Sequence, residues 1–152
     1  MRIRVATADE TDELTNLALE SKRSWGYDEE FMARCRAELT VRAEDVRDGR
    51  VFVAADAGAV IIGMYLLRDL DESRAELDML FVAPGKIDQG VGSALMADAI
   101  DRARGRGRAT MRIESDPFAG PFYEHEGAVL VGWENSRSTG RELPIYEISL
   151  SP

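Results

Sequence analysis

Residues 75–104 read AELDMLFVAPGKIDQGVGSALMADAIDRAR, and this is the most informative stretch of the chain. Ala75 to Val82 is predicted to be a strand, which Pro84 and Gly85 stop. A helix is predicted from Gly90 to about Arg104, because small apolar residues recur there four positions apart. Glycines let the backbone turn sharply, and a helix N-terminus favours a phosphate. The stretch predicts a strand–loop–helix unit that can hold an anion, with an ordinary glycine turn as the alternative.

The loop does not fit the common nucleotide motifs. Gly85 and Gly90 have the spacing of a P-loop, but Val91-Gly92 stands where that motif needs Lys followed by Ser or Thr. A dinucleotide fingerprint starting at Gly90 would need Gly or Ala at position 95, where the chain has Leu95. ATP or GTP handling through this loop is therefore not expected.

The rest of the chain alternates between the two element types. Upstream we predict a strand at 2–6, helices at 13–24 and 28–39, and an irregular segment at 40–50. A hairpin follows, with strands at 51–55 and 60–68. Downstream we predict a strand, a short helix and two strands, at 110–114, 117–126, 128–133 and 143–150. This order predicts a mixed α/β fold in a single domain, 1–152.

Composition excludes several function classes. With 19 Lys and Arg against 28 Asp and Glu, the net charge is −9, which disfavours nucleic acid and suits a cationic small molecule. One cysteine and one histidine, Cys35 and His125, cannot form a disulfide or a two-histidine metal site, so no metal is expected. We see no signal-peptide stretch at the start and no apolar run approaching the ~20 residues of a membrane span. A cytoplasmic protein without membrane contact is predicted.

Three short motifs together carry a family resemblance. They are Val82-Ala-Pro84, Gly90-x-Gly92-Ser93-Ala94-Leu95, and Asp116-x-x-Ala119-x-x-Phe122-Tyr123-Glu124-x-x-Gly127-Ala128. In this spacing and element order, the chain resembles the GNAT superfamily of acyl-CoA-dependent N-acetyltransferases. The resemblance implies a central, mostly antiparallel sheet flanked by helices. It also implies acetyl-CoA as acyl donor, held where a parallel strand pair, 75–82 and 110–115, splays apart.

The resemblance also implies where the donor binds. The implied contacts are Leu80, Phe81, Val82, Ile87, Asp88, Gln89, Gly90, Val91, Gly92, Ser93, Asp116 and Phe122. Two positions depart from the family pattern: Ile87 replaces an Arg or Gln, and Asp116 replaces a frequent Asn. Lys86 and Gln89 are near enough in sequence to replace the lost pyrophosphate contact. Because the backbone N–H groups remain, we expect altered affinity rather than lost binding.

Tyr123 matches the family's general acid, which protonates the departing CoA thiolate. A phenol with a pKa of about 10 can bond or protonate a thiolate whose thiol has a pKa of about 8.5. The alternative is that Phe122 and Tyr123 merely pack a short helix. The backbone N–H of Leu80 or a neighbour is the expected partner of the thioester carbonyl.

The acceptor amine needs a base, because only about one amine in 2,500 is unprotonated at pH 7. Glu76 and Asp78 share a strand face, since side chains alternate, and family members place an acid at one or other position. We slightly favour Glu76, acting directly or through water; the alternative is that both acids simply face solvent. The predicted reaction is direct acetyl transfer from acetyl-CoA to a primary amine.

The acceptor is a small, cationic amine or a peptide amine in this interpretation. Trp25 and Tyr27 follow the first helix, where the family covers the acceptor; core packing or a hinge is the alternative. Arg137 and Arg141 lie in a polar loop and either meet an anionic part of a substrate or are solvated. Homodimers are common in this fold, but the sequence assigns no interface. The competing functions are a non-catalytic acyl-CoA sensor on the same fold and a protein-interaction domain anchored by Trp25 and Tyr27.

Overall fold

The computed structural model describes residues 1–151 and has five α-helices and seven strands within that range. The strands are β1 (Arg2–Val5), β2 (Val51–Ala55), β3 (Ile61–Asp69), β4 (Arg74–Val82), β5 (Thr110–Glu114), β6 (Val129–Asn135) and β7 (Glu142–Ser149). The helices are α1 (Thr11–Arg23), α2 (Glu29–Cys35), α3 (Ala43–Arg47), α4 (Val91–Gly105) and α5 (Gly120–His125). Single 3₁₀ turns occur at Ala8–Glu10, Pro84–Lys86 and Pro117–Ala119.

The strand order is β1-β2-β3-β4-β5-β7-β6. The β1–β2, β2–β3, β5–β7 and β6–β7 pairs are antiparallel, and the β4–β5 pair is parallel. The predicted mixed α/β class, with a mostly antiparallel sheet, one parallel pair and flanking helices, is therefore confirmed. Within the described 1–151, no helix has the length and apolar character needed to cross a bilayer.

Two of the predicted segments are wrong. The segment 40–50 was predicted to be irregular because it is polar, but it contains α3. Asp45 and Val46 of this helix are buried, and the Asp48 N–H donates to the Glu44 carbonyl at its end. The helix predicted over 28–39 ends at Cys35. Beyond it the Leu39 N–H is shared between the carbonyls of Cys35 and Arg36, so the chain tightens toward 3₁₀ geometry instead of continuing the α-helix.

The chain divides into two compact units, and the divisions fall within β3, β4 and α4. The first unit comprises Met1–Leu66 and Met79–Leu95, and its strand order is β1-β2-β3-β4. All five residues of β2 are buried, as the apolar run at 51–55 predicts. The turn after β2 closes because the Asp56 carboxylate accepts from the Gly58 and Val60 N–H groups.

The second unit comprises Leu67–Asp78 and the chain from Met96 onward, with strand order β3-β4-β5-β7-β6. Parallel pairing of β4 with β5 runs from Arg74 opposite Thr110 to Leu77 opposite Ile113, and β4 then continues to Val82. Alternate residues of β5 are buried, Met111 and Ile113 among them, so the other face of these strands carries the polar side chains.

Candidate functional site

In the first unit, the loop between β4 and α4 contains two residues with positive φ. Asp88 and Gly90 adopt φ angles of 66° and 84°, in the left-handed region that glycine enters without steric cost. The Gln89 side chain holds the loop by donating to the Gly85 carbonyl over 3.2 Å, and the Ala94 N–H bonds the Gly90 carbonyl over 3.1 Å. Helix α4 therefore begins directly after the turn, with its N-terminal N–H groups at the loop.

The start of α4 fits a phosphate-bearing ligand. This 15-residue helix has no acidic side chain in its first turn, which suits an anion at its positive end, although the loop before it carries the acid Asp88. A Cβ built on Gly85 or Gly90 would meet no atom within 4 Å, so the loop surface is open. Ile87 is 37% exposed and offers no side-chain hydrogen bond. The backbone of this loop can hold an anion, while position 87 contributes no charge.

Gly63 positions α4, and the sequence patterns did not identify it. A Cβ on Gly63 would lie 2.9 Å from Leu95 Cδ1 and 3.0 Å from Val91 Cγ1. The first turns of α4 therefore lie directly against β3 at this point, which leaves no room for a side chain. An isolated glycine inside a strand pattern is the signal that marks such a close approach.

The predicted acceptor residues lie in the same unit, in the turn between α1 and α2. Tyr27 stacks on Phe31 with ring centroids 4.1 Å apart, and both pack with Phe81 of β4 against one buried cluster. Lys22 Nζ lies 5.8 Å from the Tyr27 ring centroid, so the ammonium group of Lys22 makes the cation–π contact that was predicted for a substrate amine. The structure packs Tyr27 and Phe81 against the same buried cluster and leaves Trp25 40% exposed.

In the second unit, both candidate bases are paired with arginines. Glu76 bonds Arg112 over 3.0 Å, and the same guanidinium reaches Glu134 at 2.8 Å. Asp78 bonds Arg68 over 3.0 Å. The β4–β5 register places Glu76 directly opposite Arg112, which explains their contact. Arg112 was missed because this register is not visible in a single sequence, and Arg68 was missed because its contact with Asp78 joins β3 to β4, which one sequence does not show either.

Asp116 is held at two points where β5 gives way to a 3₁₀ turn. Its Oδ1 accepts from the Phe118 N–H at 2.9 Å, and its Oδ2 accepts from Arg141 Nη2 at 3.0 Å. The carboxylate side chain is only 12% exposed. Arg141 thus contacts an acid of the chain. The sequence had predicted an arginine that is either solvated or faces the substrate, and it did not indicate this contact.

Tyr123 lies on α5 and is 6% exposed. Its ring makes an edge contact with half-buried Phe122 and lies 6.2 Å from the Tyr146 ring. Burial, and secondarily the negative charge of Asp116, raises the pKa of the Tyr123 phenol well above its ordinary value. The phenol is therefore protonated throughout the neutral range and can donate a hydrogen bond.

The predicted site residues thus fall into two groups. The first unit holds Trp25, Tyr27, Leu80, Phe81, Val82, Ile87, Asp88, Gln89, Gly90, Val91, Gly92 and Ser93. The second unit holds Glu76, Asp78, Asp116, Phe122 and Tyr123. Within β4 itself, Glu76, Asp78 and Leu80 lie on one face, because the residues between them, Leu77 and Met79, are buried.

Comparison with known families gives a match over most of the chain. Residues 7–141 match the model described as "Acetyltransferase (GNAT) domain". The sequence matches no curated protein.

Solved structures of the same fold cover nearly the whole chain at low identity. The PaiA N-acetyltransferase from Thermoplasma acidophilum, in complex with coenzyme A, is 19% identical with a TM-score of 0.76, covering 97% of this chain and 98% of that one. YncA from Salmonella typhimurium, a putative acetyltransferase with its cofactor acetyl-CoA, is 20% identical with a TM-score of 0.71, covering 100% and 95%. A GNAT-family acetyltransferase from Staphylococcus aureus Mu50 is 16% identical with a TM-score of 0.75, covering 99% of both. At these identities the likeness establishes the fold.

Proposed function

Since the chain belongs to the GNAT family of acetyltransferases, we propose that it is an N-acetyltransferase using acetyl-CoA as donor. The acceptor is proposed to be the primary amine of a small cationic molecule or a peptide. The observation that carries the proposal is the β4–α4 loop, where Gly90 has a positive φ and the first turn of α4 has no acid. Two similar structures with coenzyme A or acetyl-CoA support the choice of donor. We expect this activity in the cytoplasm.

Donor binding is assigned to the loop and to the end of β4. The N–H groups at the start of α4 bind phosphate oxygens, and Leu80, Phe81 and Val82 supply backbone contacts along the strand. The bound donor supplies an acetyl group activated as a thioester. The N–H of Leu80 or a neighbour donates to the acetyl carbonyl oxygen, which gains negative charge as the amine attacks.

Tyr123 is assigned the role of proton donor to the leaving sulfur. When the new N–C bond forms and the C–S bond breaks, sulfur carries the developing negative charge. The raised pKa of Tyr123 keeps its O–H available, but full transfer to a thiolate whose thiol has a pKa of about 8.5 is uphill. Its contribution is therefore greatest as a hydrogen bond that strengthens while the C–S bond breaks.

Glu76 is assigned the role of accepting the amine proton through a bound water. Arg112 fixes the position of the Glu76 carboxylate, which is 21% exposed and so remains reachable by solvent. Asp78 lies on the same face but is 41% exposed, and its partner Arg68 is also partly in solvent. The more enclosed carboxylate is better placed to direct one water.

Acceptor binding is assigned to the α1–α2 turn. Trp25 offers an exposed aromatic surface, and Tyr27 packs against the same buried cluster as Phe81 of β4. Because Lys22 already lies near the Tyr27 ring, Tyr27 is proposed to contact an apolar part of the acceptor. A homodimer stays a prediction with no assigned interface.

The proposal is tested by thiol release from acetyl-CoA in the presence of a panel of primary amines. Replacing Tyr123 with Phe is expected to lower kcat about 100-fold or more while leaving acetyl-CoA affinity within a few-fold. The matched control is Y65F, which removes the hydroxyl of another buried tyrosine to which we assign no role. The sensor alternative predicts tight acetyl-CoA binding, no turnover with any amine, and unchanged binding in Y123F.

A further inference from the structure

The ion pair between Asp116 and Arg141 joins two segments 25 residues apart. Asp116 follows β5, and Arg141 ends the loop before β7. The two segments are also linked by the Ser115 N–H, which bonds the Pro144 carbonyl over 2.9 Å. Both side chains are largely enclosed, with 12% and 26% of their surfaces exposed. A pair this well shielded interacts more strongly than an exposed one.

The chemistry of position 116 raises a problem for donor binding. The proposed donor is an anion, since coenzyme A carries phosphate groups, and family members often have a neutral asparagine here. A carboxylate accepts hydrogen bonds as an asparagine carbonyl does, but it adds a full negative charge. An unpaired charge with this little exposure would oppose an anionic ligand and would be costly to bury.

We propose that Arg141 is a positioning residue for donor binding, which neutralises and orients Asp116 so that a carboxylate can replace an amide there. The inference rests on the proposed function. Arg141 holds Oδ2 while the Phe118 N–H holds Oδ1, so the carboxylate plane is fixed from two sides. The pair is neutral as a whole and keeps carboxylate lone pairs to accept from an amide N–H of the donor's pantetheine chain.

If Arg141 acts by neutralising Asp116, variants of the two residues should change the Kd of acetyl-CoA in a pattern that a merely structural ion pair would not produce. In R141Q the carboxylate loses the positive charge of Arg141, so the Kd for acetyl-CoA is expected to rise at least tenfold. In D116N the negative charge is absent and the Phe118 bond can be retained, so the Kd should rise clearly less than in R141Q. The double variant D116N/R141Q should also bind more tightly than R141Q, because removing the acid removes the need for the arginine.

The experiment measures the Kd of acetyl-CoA by isothermal titration calorimetry for the wild type and these three variants, with melting temperatures in parallel. R137Q is the matched control, because it removes the same charge from an exposed arginine of the same loop. R141K retains the charge and should bind within threefold of the wild type even if R141Q folds poorly. Raising the salt concentration should shrink the R141Q defect, since screening weakens repulsion.

The outcomes separate this inference from the proposed function. Binding by R141Q within twofold of the wild type would overturn the role of Arg141, as would a double variant as weak as R141Q. A double variant that binds well while R141Q does not would support it. Failure of the wild type itself to bind acetyl-CoA would contradict the proposed donor, and the inference would fall with it.

Discussion

Arg112 gives the candidate base Glu76 a fixed position in the second unit. Its guanidinium bonds Glu76 on one side and Glu134 on the other, and it is only 16% exposed. The carboxylate of Glu76 is thereby oriented and cannot rotate freely toward solvent. If Glu76 loses its charge, Arg112 still has Glu134 as a counter-ion, so a variant at position 76 does not leave an isolated buried cation.

This arrangement predicts that E76Q and D78N differ in their effects on turnover. E76Q should lower kcat by about 100-fold, the lower range for loss of a general base, with little change in acetyl-CoA affinity. D78N, the same change on the same strand face, should lower kcat less than about threefold. Steady-state thiol release at saturating donor measures both. A larger loss in D78N than in E76Q would assign the base to Asp78 instead.

At the scale of elements, the close approach of α4 to β3 is the feature on which the loop geometry depends. Gly63 lets Val91 and Leu95 contact the strand directly, and the carbonyl of Phe81 lies 3.2 Å from where a Cβ would be. The start of α4 is thus held against β3, and the loop from β4 must turn tightly to reach it. Gly90 permits that turn.

G63A should therefore destabilise the protein by about 1–3 kcal/mol, because the added methyl forces α4 or β3 to shift. G132A is the control, since a Cβ there would meet no atom within 4 Å and the glycine also lies in a strand. Urea unfolding measures the free energy for both variants. Equal stability of G63A and the wild type would mean that α4 can move away from β3 without cost.

Periodicity and turn residues predicted most of the elements but could not predict their polar contacts. The strand at 110–114 is observed with those bounds, and the helix predicted from Gly90 is observed from Val91 to Gly105. Helix α3 was missed because a buried aspartate, Asp45, resembles a loop residue in sequence. Its burial depends on the Arg50 partner, which the fold brings within 3.3 Å.

In the candidate site, too, local motifs were predictable from the sequence and long-range polar contacts were not. The glycine loop and Tyr123 could be proposed from the sequence because their motifs are short and local. Arg112 and Arg141 could not, because each meets its carboxylate across more than twenty residues of chain, through strand register or a loop contact. Predicting such a pair requires the pairing of strands, which one sequence does not determine.

For the whole molecule, a net charge of −9 sets the conditions for binding an anionic donor. The long-range field of the protein opposes coenzyme A, so the proposed binding must draw on local groups, and we assign it mainly to the N–H donors at the start of α4. These contacts act at short range and are less sensitive to salt than the overall field is.

Whether the chain binds the proposed donor is tested by a thermal shift of the wild-type protein with acetyl-CoA, with ATP as the control ligand. At a concentration 100 times the Kd, binding to the native state adds about 2.7 kcal/mol. For a domain of this size the melting temperature should then rise by about 5–10 °C. We predict this rise with acetyl-CoA and none with ATP, whose motif the loop lacks. No rise at millimolar acetyl-CoA would contradict the account.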